Sequence, residues 1–103
     1  MLLIREIMYC KPGKVRPMVD KFLAMSKLNE KAGLGKMRVM TDFCAEQYWT
    51  IVSEFEVPSM QAFEAMMRGE GIAPEMNKEF EKLMDGYHDL VVSGRREVFK
   101  IEG

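Results

Sequence analysis

At 103 residues the chain is long enough for one domain with one core and too short for two. Fifteen Lys and Arg against sixteen Asp and Glu leave a formal charge of −1, with the signs interspersed, so the basic stripe of a nucleic-acid binder is absent. No apolar run approaches the ~20 residues of a membrane span, and MLLIREIMY lacks the basic region and small-residue site of a secretory leader, so no membrane or nucleic-acid partner and a cytoplasmic location are expected.

Leu2–Cys10 alternates loosely and is rich in Leu, Ile, Met and Tyr, which predicts a first strand. Lys11-Pro12-Gly13-Lys14 ends it, because proline removes a ladder donor and glycine turns readily. Val15, Met18, Val19, Phe22 and Leu23 then recur at helical spacing, which predicts an amphipathic helix over Lys14–Lys31, stopped by Gly33 and Gly35. Met37–Cys44 and Tyr48–Val57 flank a polar link, Ala45-Glu46-Gln47, and predict an antiparallel hairpin. Ser59 is a helix N-cap, followed by Ala62, Phe63, Met66 and Met67 at helical spacing. Gly69-Glu70-Gly71 breaks this second helix, with Ile72 as the apolar anchor of the break. Pro74 reopens it, and Gly86 ends it. Leu90–Ile101 is the last strand, with a bend or bulge expected at Ser93-Gly94.

The order β-α-β-β-α-β, with the second helix broken in two, is the ferredoxin-like α+β arrangement over residues 1–103. Helices cover one face of a four-stranded antiparallel sheet in spatial order 4-1-3-2. Cys10 and Cys44 would then lie near one end of the sheet, two strand spacings or about 9–10 Å apart, too far for a disulfide. Both are read as reduced, buried fillers. Trp49, Ile51, Phe55 and Val57 share the parity expected to face the helices. The opposite set, Tyr48, Thr50, Val52, Glu54 and Glu56, is neither apolar nor fully polar. A mixed face of that kind suits a second sheet packed on it, and a two-fold homodimer is the commonest way to supply one.

The pieces YCKPGK (Tyr9–Lys14), EFEVPS (Glu54–Ser59) and VSGRREVF (Val92–Phe99) resemble the dimeric α+β barrel superfamily, and within it NIPSNAP-like and antibiotic-biosynthesis-monooxygenase-like proteins. The resemblance covers nearly the whole chain and rests on turn and framework residues. It implies two ferredoxin-like subunits packed sheet against sheet, with a cavity between each sheet and its helices. It also implies cofactor-independent oxygenation of an aromatic or polyketide-like substrate as one activity. Where NIPSNAP-like chains often carry Arg-x-Tyr in the first strand, this chain has Glu6-Ile7-Met8; where they often carry His-x-Trp in the third, it has Ile51-Val52-Ser53.

Residue chemistry adds candidates. His88, the one histidine, is a general base by type or a cation at a helix C-terminus. Tyr48 is the second catalytic candidate. Tyr9 and Tyr48 offer phenolic hydroxyls or simply buried rings, and Trp49 stacks on a flat ligand or fills the core. Among the strand charges, Arg5, Arg38, Asp42, Glu54, Glu56 and Arg96, one aimed into a closed cavity would be a binding group; Arg38 and Glu54 join Tyr9 and Trp49 as the ligand-binding set. One His and two separated Cys do not make a metal site, and no phosphate loop, nucleophile elbow or cofactor motif is present. Three readings follow: an oxygenase-like enzyme needing no cofactor, a dimer that binds a small apolar or haem-like ligand without turnover, and a structural dimer whose cavity is filled by side chains.

Overall fold

Strand β1, Leu2–Cys10, is the middle of the sheet, hydrogen-bonded on one side to β3 (Thr50–Val57) and on the other to β4 (Val91–Lys100). It can be central because both its faces carry apolar residues: Ile4 and Cys10 are buried on one and Ile7 on the other. The computed structural model describes residues Met1–Gly103, and its strand order β2-β3-β1-β4, antiparallel throughout, is the order expected from the sequence. Helix α1 (Val15–Lys31), α2 (Met60–Met67) and α3 (Pro74–Met84) pack on one face, and a 3-10 turn, Tyr87–Asp89, leads into β4.

The helices begin and break where their residues dictate. Ser59 Oγ accepts a hydrogen bond from the Ala62 N–H at 3.1 Å and caps α2. Pro74 stands in the first turn of α3. Between them the chain reverses at Gly69, whose φ of +76° disfavours a side chain, and Asn77 Nδ2 donates to the Gly69 carbonyl at 3.2 Å. At the far end of α3, Lys21 of α1 donates to the carbonyls of Leu83 and Asp85 at 3.0 and 2.8 Å. One ammonium group thus satisfies two carbonyls at the end of α3 and ties the first helix to the last.

The hairpin differs from expectation. Strand β2 is only Arg38–Thr41, and β3 starts at Thr50, so the connection runs over residues 42–49. The Asp42 side chain accepts from the Thr50 N–H at 2.8 Å, the Thr50 hydroxyl donates to the Gln47 carbonyl, and these side-chain bonds displace a continued ladder. Trp49 is therefore not a strand residue of core parity. It has a φ of +61°, uncommon for so bulky a side chain, and is 43% exposed. Its carbonyl accepts from the Cys10 N–H at 2.8 Å, which holds the turn to β1. Phe43 and Tyr48 project from the same connection into solvent. Cys44, expected in a buried strand, lies there too and is exposed, whereas Cys10 is buried.

Burial, followed by the nearby Asp42 carboxylate, pushes the Cys10 thiol up from its ordinary range, so it reacts as a weakly ionised, inaccessible group. An aromatic-disulfide thiol titration of the native protein should therefore consume one fast equivalent, from Cys44, and the second only after unfolding. Two fast equivalents would mean that the β1 terminus opens in the native state.

The irregularity of β4 falls one residue from where it was expected. Tyr9 pairs with Ser93 and Cys10 with Val91, so Val92 is the extra residue of a bulge. Gly94 pairs with Met8, and a Cβ on it would stand 2.9 Å from the Ile7 carbonyl oxygen and 3.3 Å from Met8 Cγ. The glycine permits this close strand approach. Gly94→Ala should force β4 away from β1 and cost about 1–3 kcal/mol, read as a shifted urea midpoint with an unchanged slope.

The buried core has two parts. Cys10, Met18, Val19, Phe22, Met37 and Ile51 form one cluster beneath α1, and Ile4, Val57 and Phe63 form the other beneath α2. No helix is long and apolar enough to cross a membrane.

Candidate functional site

A cavity of about 540 Å³ is lined by members of both clusters, Phe22 and Met37 from the first and Phe63 from the second. Its size suits a drug-sized organic molecule. The floor is the helix-facing side of the sheet, including Met8 of β1, Phe55 of β3 and Arg96 of β4; the walls come from α1, α2, α3 and the break around Ile72. Six methionines line it: Met8, Met25, Met37, Met66, Met67 and Met84. Unbranched thioethers adjust their shape to a flat ligand at little cost. A larger hollow of about 690 Å³ lies between α1 and α3, rimmed by lysines and carboxylates, but it is more open to solvent and would cover less of a ligand.

Seven of the 21 lining residues carry polar or charged side chains besides the Tyr87 hydroxyl, and strand register gathers three of them. Glu6 of β1 pairs with Ser53 of β3 on one side and Arg96 of β4 on the other, so one row across the sheet reads Arg96, Glu6, Ser53. Arg96 Nε donates to Glu6 Oε1. The Arg96 guanidinium also lies over the Phe63 ring, 5.0 Å from its centroid, a cation–π contact that holds it along the cavity wall. Ser53 is 3% exposed, and Asn29 is buried in the lining with its amide donating to the Met37 sulfur at 3.8 Å. The arrangement offers one charged but internally neutralised pair at the floor of an apolar chamber. That is suited to orienting a ligand by hydrogen bonds.

The residues singled out by type lie elsewhere. His88 is exposed in the 3-10 turn with its ring centroid 3.9 Å from that of Tyr87; Tyr87 lines the cavity and His88 does not. Tyr48 and Trp49 are in the hairpin connection, outside the lining. Tyr9, Arg38 and Glu54 are brought to one surface, the face of the sheet opposite the helices. There Arg5 Nε donates to Glu54 at 2.7 Å and its Nη1 to Glu97 at 3.5 Å, while Arg95 bonds both Glu97, at 2.9 Å, and the Tyr9 hydroxyl. The Arg5 guanidinium lies 4.9 Å from the Phe99 ring centroid. The hydrogen bond from Arg95, then the fields of Arg95 and Arg5, hold the Glu97 carboxyl below the usual glutamate range. Its contribution is present above the ordinary glutamate pKa and is lost as the pH falls through the lowered value.

Glu6 and Ser53 escaped selection by residue type, yet a signal existed. Glu6 sits between Ile4 and Met8 on one strand parity, a carboxylate on an otherwise apolar face. No three His, Cys, Asp or Glu side chains converge in a way that would hold a metal ion.

The fold is that of ferredoxin-like α+β proteins of the NIPSNAP-like and antibiotic-biosynthesis-monooxygenase type. Among solved structures, an uncharacterized NIPSNAP-like domain protein from Burkholderia xenovorans superposes with a TM-score of 0.71 at 13% identity, covering 98% of this chain and 84% of the other. An antibiotic biosynthesis monooxygenase superposes with a TM-score of 0.71 at 14% identity, with both chains covered completely, at 100% each. A second uncharacterized NIPSNAP domain protein from Burkholderia xenovorans gives 0.71 at 11% identity, with 99% and 95% covered. At these identities the likeness is one of fold. No protein-family model and no curated protein matches the chain.

Proposed function

We propose that the chain is one subunit of a cytoplasmic homodimer that takes a flat, largely apolar small molecule into the cavity between its sheet and helices. The observation that carries this reading is the lining itself, a methionine-rich chamber with one polar row, Arg96-Glu6-Ser53, across its floor. Such a lining binds by area and orients by a few hydrogen bonds. Isothermal titration with 1-naphthol tests it: saturable binding is expected in the wild type, with at least a tenfold loss in Met8→Trp, which fills the floor. Equal heats in both proteins would remove the reading.

Oxygenation of an electron-rich aromatic ligand without a cofactor is the activity suggested by the fold shared with an antibiotic biosynthesis monooxygenase. An oxygen electrode with phenols and quinols separates turnover from simple binding. Uptake that disappears in Met8→Trp supports catalysis in the cavity. Saturable binding without uptake supports a carrier.

The dimer is supported by shape and surface. The molecule is a slab 36 × 35 × 19 Å with helices on one side of the sheet only. Its 6953 Å² of accessible surface exceeds by roughly 1,000 Å² the value for a compact monomer of this mass, about one partner's share of a standard interface. Arg5 and Arg95 are ion-paired with Glu54 and Glu97 on the bare face, which lowers the penalty of covering those four charges, while Arg38 and Glu56 of the same face have no ion-pair partner within the chain.

A further inference from the structure

We propose that Glu6 sets the charge of the ligand: by holding Arg96 it makes the cavity accept neutral flat molecules and turn away carboxylates. The proposal rests on the reading of the cavity as a ligand site and adds a rule for what enters it. An arginine lying over an aromatic ring beside an apolar chamber is otherwise a carboxylate receptor, because its planar fork matches two carboxylate oxygens. Here Glu6 is the ion-pair partner of that arginine, its side chain 19% exposed and that of Arg96 42% exposed. A carboxylate ligand would have to displace Glu6 from the arginine, giving up an ion pair already made, or sit beside it as a like charge.

The rest of the lining points the same way. The other arginine, Arg68, is engaged by Glu70 at 3.1 Å, and Glu81 of α3 has no ion-pair partner. Every cation of the lining therefore has its own carboxylate, and one carboxylate is left over. A neutral hydroxyl meets no such conflict, since it can donate to Glu6 or accept from Arg96 without breaking their pair. Glu6 is thus a residue that determines specificity through Arg96.

Titration calorimetry at pH 7.5 with 1-naphthol, 1-naphthoate and 1-naphthylmethylammonium, three probes of one ring and different charge, tests the rule. The wild type is expected to bind the naphthol at least tenfold more tightly than the naphthoate. Glu6→Gln should gain at least tenfold in naphthoate affinity and lose the wild type's preference for naphthol over naphthoate. The double variant Glu6→Gln/Arg96→Gln should lose that gain, which a merely structural role of Glu6 would not produce. Wild-type binding of naphthoate as tight as either naphthol or the ammonium probe, or no gain in Glu6→Gln, would each overturn the charge rule while leaving the cavity as a ligand site. Binding of no probe by any protein would overturn both. The wild-type comparison alone decides the matter if Glu6→Gln does not fold.

Discussion

Phe63→Ala is expected to destabilise the protein by about 3–5 kcal/mol, a large share of the roughly 5–15 kcal/mol available to a domain. Phe63 is 4% exposed and is the one buried residue of α2. It packs on Ile4 and Val57, its ring centroid lies 6.0 Å from that of Phe55, and Arg96 lies across it. Truncation therefore removes the anchor of an eight-residue helix that has little stability of its own. The same change removes a cavity wall and frees Arg96 from its ring, so naphthol affinity should fall with stability. Urea unfolding supplies the measurement. A loss below about 1 kcal/mol would mean that α2 is held by something other than this contact.

Phe99→Glu is expected to split the proposed dimer with little effect on the fold of one chain. Phe99 lies on the bare face, 45% exposed, beneath the Arg5 guanidinium. A carboxylate there would stand near Glu97 and compete with Glu54 and Glu97 for Arg5, leaving excess negative charge to be buried if a second sheet covered it. Sedimentation should give twice the 11.9 kDa chain mass for the wild type and the single mass for the variant. The association constant should fall on the order of 30-fold or more. A wild type that sediments at 11.9 kDa at all concentrations would end the dimer proposal outright.

The sheet and helices were legible because their signals are local. The alternation of Leu2–Cys10, the proline and glycine of the first turn, the stripe from Val15 to Leu23 and the Ser59 cap each act within a few residues, and each element stands where they predict. The antiparallel hairpin forms, but its strands stop short of Phe43, Tyr48 and Trp49, which are strong strand formers by type. Their preference lost to the Asp42 side chain, which takes the Thr50 N–H and ends the ladder early. His88, Tyr48 and Trp49 were chosen by side-chain chemistry, and none lines the cavity.

What the sequence determined by itself is the order of elements, the faces of the strands and the break between α2 and α3, since periodicity, caps and turns are properties of neighbours in the chain. Only the tertiary structure decided which polar side chains meet. Glu6 and Arg96 are 90 residues apart, and strand register alone sets them side by side. The pair comes to line a cavity because the helices leave space between two core clusters over that row of the sheet. Register and helix placement are settled by the packing of the whole chain, so no local pattern records them.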